Sequence, residues 1–540
     1  MWVRGVSRTR KLCERICRID FKRDRYLLLQ YLHSRHPWRS KQMTALAAGA
    51  PSSNAQNWNQ INWPQVRAHV YRLQVRIAKA TRESKWGTVT ALQHLLSRSF
   101  YAKLLAVKLI ISNKGHKTPG IDGQTWKTSS QRWCAALKLR ARGYRSQPLR
   151  RIYIPKKNGQ LRPLGIPTLF DRAMQALYAF GLKPIAETIG DKHSYGFRPW
   201  RSIHDAAKHT FVALARKVCA PWILEADIKG CFDNISHDWI LKHIPLPRWI
   251  LRQWLKSGYM ESSTLYKTDR GTPQGGIVSP IICNMTLDGL EELIMKGRNK
   301  KRHKLNITRY ADDFIVTSAS ADFLINEIKP DIERFLKDRG LMLSSEKTKI
   351  SHINDGFDFL GFRFQKHQDK LITTPAKRKA GELRQKVRVF LKNHHGIPFH
   401  VLLLKLNSII RGWAYAHRQV VAKKLFNTLD VSIFKLLCRW LHREHRSKTW
   451  SWISKRHRNR TKGRWDFVAF YSNASRDKKC VTLFKMSDLP IRYHTKIRTD
   501  VNPFNRSDDK YYRTRKQRQR RERHADREFL SLSSYEKLAA

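Results

Sequence analysis

Asp312 and Asp313 lie side by side in Arg309-Tyr310-Ala311-Asp312-Asp313-Phe314-Ile315-Val316, between two β-prone apolar runs, so the pattern predicts a hairpin carrying two carboxylates at its tip. Hard divalent cations seek such oxygens, and phosphoryl transfer to a hydroxyl uses two of them about 4 Å apart. Taken alone, an Asp-Asp pair between strands is usually just a solvated turn. A third carboxylate changes its weight. Asp227 ends the apolar run Trp222-Ile223-Leu224-Glu225-Ala226, which reads as a short buried strand followed by a Gly-containing turn and an amphipathic helix opening near Ser236. An aspartate at a strand end can face the hairpin of an antiparallel neighbour, so Asp227 and Asp312 can share the cations with Asp313 beside them. Its simpler role is to cap a helix or turn.

The elements that must position these groups are marked by loops. Gly271-Thr272-Pro273-Gln274-Gly275-Gly276-Ile277-Val278-Ser279-Pro280 offers a backbone free of side chains for close approach to a nucleotide or template, with the Gln274 amide to meet a sugar or phosphate. Arg150 to Pro167 reads as a basic hairpin with Asn158-Gly159 at its turn, and Lys156 and Arg162 on opposite arms are placed to clamp a triphosphate. Basic residues on a hairpin also serve as plain edge protection. Lys347, in Gly340-Leu341-Met342-Leu343-Ser344-Ser345-Glu346-Lys347-Thr348-Lys349, is a candidate phosphate contact, and Gly356 to Phe362 reads as a core strand pair.

The ordered set resembles the reverse transcriptases encoded inside group II introns, of the chloroplast-like type. It comprises Thr118-Pro119-Gly120-Ile121-Asp122-Gly123, the basic hairpin, Ser194-Tyr195-Gly196-Phe197-Arg198-Pro199, the Asp227 block, the Pro-Gln-Gly-Gly loop, Tyr-Ala-Asp-Asp, Glu-Lys-Thr-Lys and Phe-Leu-Gly-Phe, all in family order from about Trp58 to about Asn505. The resemblance implies an α+β right-hand polymerase with fingers, a ferredoxin-like palm, a helical thumb and a basic C-terminal region. It implies RNA-directed DNA synthesis with Asp227, Asp312 and Asp313 as the catalytic, metal-binding set for two Mg²⁺ ions. Phe232 matches the aromatic that abuts the incoming sugar, though a plain core phenylalanine fits its spacing too. Gln274, Lys156 and Arg162 match nucleotide contacts, with Lys157 an equal candidate to Lys156. The implied partners are the parent group II intron RNA in a ribonucleoprotein, target DNA and deoxynucleoside triphosphates. The implied setting is a bacterial, cyanobacterial-like cytoplasm or a plastid interior.

Charge points independently to a polyanion. Lys and Arg number 106 against 42 Asp and Glu, a formal +64. No run approaches the ~18 apolar residues of a spanning helix, so no membrane partner is expected. Aromatics interleave with basic residues in Trp440 to Arg446 and Trp450 to Arg458, a mixture that suits either stacking on unpaired bases or a helix with buried tryptophans.

Composition and periodicity mark a basic leader over 1–55, a helical extension over 56–113 with two amphipathic helices and a basic tail over 511–540, and the resemblance implies fingers and palm over 114–365, a thumb or maturase domain over 366–445 and a DNA-binding region over 446–510 between them. The leader is either a transit peptide or upstream intron sequence with Met43 as the start, the latter preferred because Glu14, Asp20 and Asp24 are atypical of transit peptides. In the thumb, Arg411, Arg418 and Lys423 are expected to be free for RNA. The tail is expected to be disordered until it meets nucleic acid. The eight cysteines form no Cys-x-x-Cys pair, so neither zinc nor the His-Asn-His nuclease of many relatives is expected, and insertion would then borrow a 3′ end from a replication fork. Two other readings remain at this point: a splicing-only maturase without polymerase activity, and a different reverse transcriptase such as a retron enzyme.

Overall fold

The structure, a computed structural model, describes residues 57–155, 159–461, 464–472 and 478–535; the expected leader and Lys156 lie outside the described residues. Asn62 caps the Trp63–Arg82 helix through Gln65 N, and Val66, Val70, Leu73 and Ile77 bury one stripe of it. The expectation of two helices over 56–113 is corrected to three. Ser99 takes an extended conformation (φ −60°, ψ 125°), so the second apolar pattern splits into Trp86–Arg98 and Phe100–Ser112. Leu92 and Leu96 on one piece and Tyr101 and Leu104 on the other enter a single core.

The basic segment forms its expected hairpin from β1 (Leu149–Pro155) and β2 (Leu161–Ile166), with Ile154 opposite Arg162 and Gly159 left-handed at φ +81°. The Leu169–Ile189 helix that follows is buried nearly all round, and its first turn is fixed by Thr168, whose hydroxyl accepts from Asp171 N. After the Ile203–Leu214 helix comes β3 (Trp222–Asp227), the predicted strand ending at Asp227. Ser236 caps the helix His237–His243, also as read. Short strands β4 (Tyr259–Glu261) and β5 (Thr264–Tyr266) extend the basic hairpin into a sheet of order β2-β1-β4-β5.

The central sheet, β6-β7-β3-β8, is antiparallel throughout, with β6 at Asn306–Tyr310, β7 at Asp313–Ser318 and β8 at Lys349–His352. Period-two alternation sorts its side chains. Leu224, Ala226, Phe314 and Val316 enter the main core, whereas Ile223 and Ile315 face a smaller core with Phe357, Phe359 and Phe364. Those phenylalanines come from β9 (Phe357–Phe359) and β10 (Phe362–His367), which pair as expected and continue into β11 (Lys370–Pro375).

Three helices then pack on one another: Lys377–Lys392, Phe399–His417 and Lys423–Glu444, sharing Leu383, Val387, Leu402, Leu406, Ile410, Phe426 and Leu437. Two of the three cations expected to be free here are engaged. Arg418 makes a two-pronged pair with Asp526 at 2.7 and 2.8 Å, and Lys423 Nζ donates to the carbonyls of Ser487 and Leu489 at 2.6 and 2.7 Å. Arg411 is half-buried and its Nε donates to the Asn407 carbonyl at 3.2 Å. Trp440 is buried, its indole donating to the His394 carbonyl, so the core reading holds for it; Trp452 stays exposed. Strands β12 (Arg458–Thr461), β13 (Arg464–Ser472) and β14 (Lys478–Thr482) form a last antiparallel sheet.

The basic tail is the main correction. Residues 509–535 form one helix, Asp509–Tyr535, seated on the rest of the molecule. Tyr71 Oη donates to Asp509 at 2.7 Å, Arg515 reaches the buried Asp205 at 3.1 Å, and Asp526 takes both Arg418 and Arg492. Counting like charges over 513–523 overlooks the few residues that anchor the helix: Tyr512 enters a small core with Tyr195, Ile497 and Val501.

Candidate active site

Tyr310 pairs with Asp313 across β6 and β7, leaving Ala311 and Asp312 as a two-residue tip. Ala311 is buried and left-handed (φ +59°), a conformation that costs a non-glycine residue about 1–3 kcal/mol and persists only when its surroundings enforce it. They do so here. The segment around Gly196 lies against the tip so closely that a Cβ on Gly196 would stand 2.4 Å from Ala311 N. Tyr195 N donates to the Arg309 carbonyl at 2.8 Å, Arg309 N to the His193 carbonyl at 3.0 Å, and Asn284 Nδ2 to the Gly196 carbonyl at 2.7 Å. The Arg309 guanidinium, 1% exposed, is held between Asp191 and Asp288, so the strand leading to the tip is pinned by a buried charge cluster.

Asp227 stands directly opposite Asp313 across β3 and β7. Directly opposed residues have Cβ atoms about 4.5–5.5 Å apart. Burial, then the Asp227, Asp312 and Glu225 carboxylates, push Asp313 up to about 7. Burial and the nearby Asp227 also raise Asp312, opposed in part by Lys347 and Arg162. Lys347, expected on a phosphate, instead donates from Nζ to Asp227 Oδ2 at 2.7 Å, and that hydrogen bond holds its own ammonium above the usual lysine range. The loop carrying it is stitched to the end of β3 by Ser344 N donating to the Asp227 carbonyl at 2.8 Å. Among the described residues no three Asp, Glu, His or Cys side chains are already gathered as a metal cage. The donors present are nonetheless the hard carboxylate oxygens that Mg²⁺ selects, and their mutual repulsion is what a divalent cation relieves.

Beside the carboxylates, Arg162 Nε donates to Gln274 Oε1 at 2.8 Å and Gln274 Nε2 donates to both oxygens of Asp233 at 2.7 Å. Two glycines of the Pro-Gln-Gly-Gly loop also approach protein backbone closely. Gly271 (φ +82°) would bring a Cβ to 2.5 Å from the Asp233 carbonyl, and Gly275 lies against Gly165 of β2. Gly165 N donates to the Gln274 carbonyl, so the loop is fastened to the basic hairpin and Gln274 is aimed by both. Phe232 is half-buried, its ring edge-on to Phe197 at 6.2 Å. Asp233, Glu225, Arg309 and Asp205 were given no role by sequence reasoning. The first three lie in or directly beside the stretches already singled out, whereas Asp205 carried no local signal.

Three stretches match family models: residues 58–139 the N-terminal domain of reverse transcriptase, 154–364 reverse transcriptase (RNA-dependent DNA polymerase), and 381–463 the group II intron maturase-specific domain. Protein YkfC of Escherichia coli K12 is 33% identical over 302 residues, 48% of this chain and 78% of YkfC. The group II intron-encoded protein LtrA of Lactococcus lactis subsp. cremoris is 30% identical over 418 residues, 65% of this chain and 67% of LtrA. The chain belongs to the group II intron-encoded reverse transcriptases. This reverse transcriptase is a nucleotidyltransferase of right-hand polymerase fold that joins DNA synthesis to an intron-splicing role, and the matches do not favour the splicing-only reading. A telomerase chain from Candida albicans, solved with a fragment of telomeric RNA, covers 58% of this chain and 61% of its own at 14% identity and a TM-score of 0.33, too distant to carry an argument. Among the described residues no helix is long and apolar enough to cross a membrane.

Proposed function

We propose that Asp227, Asp312 and Asp313 are the carboxylates with which this reverse transcriptase copies its parent intron RNA into DNA, adding deoxynucleotides to a primer at a target DNA site. The observation that carries this reading is the cross-strand pairing of Asp227 with Asp313 at a braced hairpin tip, where negative charge is crowded. Two Mg²⁺ ions bound there supply activation of the primer 3′-hydroxyl and neutralisation of charge on the phosphates. Lys347 offsets the charge of Asp227 through its ion pair. Gln274 and Arg162, held as one unit with Asp233, orient the triphosphate and sugar, and Lys156, outside the described residues, is assigned to the triphosphate from its place in the sequence motif alone. Phe232, backed by Phe197, fills the space a 2′-hydroxyl needs. The helical extension, Arg411 on the thumb and the region over 446–510 hold intron RNA and DNA in a ribonucleoprotein, inside a bacterial cell or a plastid.

Primer extension on an RNA template with Mg²⁺ tests the assignment. Asp312→Ala is expected to lower deoxynucleotide incorporation roughly 10³-fold or more, while binding of the intron RNA and support of its splicing persist. Incorporation by the variant at the wild-type rate would remove Asp312 from the chemistry.

A further inference from the structure

Next to the hairpin tip lies a cleft of about 780 Å³ that shares only Phe197 with the proposed polymerase site. Its walls are the Trp63–Arg82, Leu169–Ile189 and Asp509–Tyr535 helices with the loop from Phe197 to Trp200, so the last described helix closes it. Its volume lies within the ~300–1,000 Å³ of ligand pockets. Two aromatic rings are displayed in it at a conformational cost. Phe197 (φ +57°) and Trp200 (φ +64°) are both left-handed, a backbone that bulky L residues avoid, yet both rings remain open to solvent, 53% and 40% exposed. Trp200 leans against Tyr512 at 5.4 Å, and Phe197 leads toward the active site through its contact with Phe232.

Charge in the cleft is one-sided. Arg67, Lys183, Arg513 and Lys516 line it, against the single carboxylate of Asp509, which already accepts from Tyr71. Lys183 is the telling one. It is half-buried on the wall with neither an ionic nor a hydrogen-bonding partner among the described residues, and burial alone draws its ammonium below the ordinary range. A partly buried cation without an anion is costly unless a ligand brings one.

We propose that this cleft binds a single-stranded polynucleotide, with a base stacked on Trp200 and Phe197 and phosphates on Lys183, Arg513 and Lys516. Flat rings interleaved with cations are the chemistry that holds unpaired nucleotides, whereas a duplex hides its base faces. The strand is either intron RNA or DNA, and the chemistry is the same for both.

The test is equilibrium binding of fluorescent 12-nucleotide RNA and DNA single strands, and of the RNA duplex, to the full chain, with Asp312→Ala as background. Binding is thereby read without polymerisation, and its failure is separate from failure of the catalytic assignment. Trp200→Gly removes the ring while suiting the left-handed backbone, so the loop keeps its shape. It is expected to weaken single-strand binding roughly 5-fold or more and leave the duplex unchanged. Arg513→Ala with Lys516→Ala is expected to flatten the slope of log affinity against log salt by about 1.4, two cations at ~0.7 each for a single strand. Stronger binding of one sugar type by the wild type, lost in Trp200→Gly, assigns the strand to RNA or DNA. Unchanged single-strand affinity in Trp200→Gly, or an equal loss for duplex, overturns the proposal.

Discussion

At the scale of single residues, the hairpin tip depends on what is missing from Gly196. A methyl group there would meet Ala311 N at 2.4 Å and push the tip that carries Asp312. A displacement of about 1 Å at reacting groups costs on the order of 10²-fold in rate. Gly196→Ala is therefore expected to lower primer extension about 10²-fold while circular dichroism shows the fold retained; full activity would mean the tip is not braced from this side. The three aspartates were legible in the sequence because strand ends and hairpin tips leave local marks: an apolar run, a turn and a carboxylate at the join. Partners were not. Nothing near Lys347 says that its ammonium reaches Asp227, and nothing near Arg309 says that it meets Asp191 and Asp288. Those contacts are set by tertiary placement, and so is the confinement of the loop glycines against protein backbone.

At the scale of elements, Asp205 decides how the C-terminal part is attached. Fully buried on the Ile203–Leu214 helix, it accepts from His494 Nε2, Ile497 N and Arg515. Removing one partner of such a buried cluster costs about 3–5 kcal/mol, because the cation left behind has lost its counter-charge. Asp205→Ala is expected to lower the urea midpoint and to open the basic run over 513–523 to trypsin under native conditions. Equal protection in variant and wild type would show that the tail is held by other contacts. The sequence marked the tail's charge but not its seat, since one buried carboxylate some three hundred residues upstream leaves no periodic signal. Helix periodicity marked the first extension helix, whose Val66, Val70, Leu73 and Ile77 are buried. It passed over the break at Ser99, where neither Gly nor Pro announces a change of direction.

At the scale of the whole molecule, a chain of formal charge +64 buries several imidazoles in surroundings that disfavour their protonation. His209, stacked flat on His193 at 4.2 Å, is pulled down to about 2, first by burial and then by the charges of His193, Lys496 and Lys300. His204 and His457 are each lowered to about 4 by burial and a neighbouring histidine. A base with a depressed folded value contributes stability that is complete above its unfolded value near 6.5 and is lost as the pH falls toward the folded one. Asp288, raised to about 6 by burial, acts in the opposite sense, so the net curve mixes both. A difference measurement isolates one group. The stability advantage of wild type over His209→Gln in urea is expected to shrink between pH 6.5 and 4, by at most about 1.4 kcal/mol per pH unit. A difference that stays flat over that range would show that His209 titrates normally.

The hydrogen bond from Tyr71 to Asp509 joins residues 438 positions apart. At ~5–20 residues per second of synthesis, roughly 20 to 90 seconds pass between the emergence of one and of the other. During that interval the N-terminal lobe stands without the helix that walls its cleft. Any ligand that needs that wall must wait until the ribosome has delivered the stretch from Asp509 to Lys516.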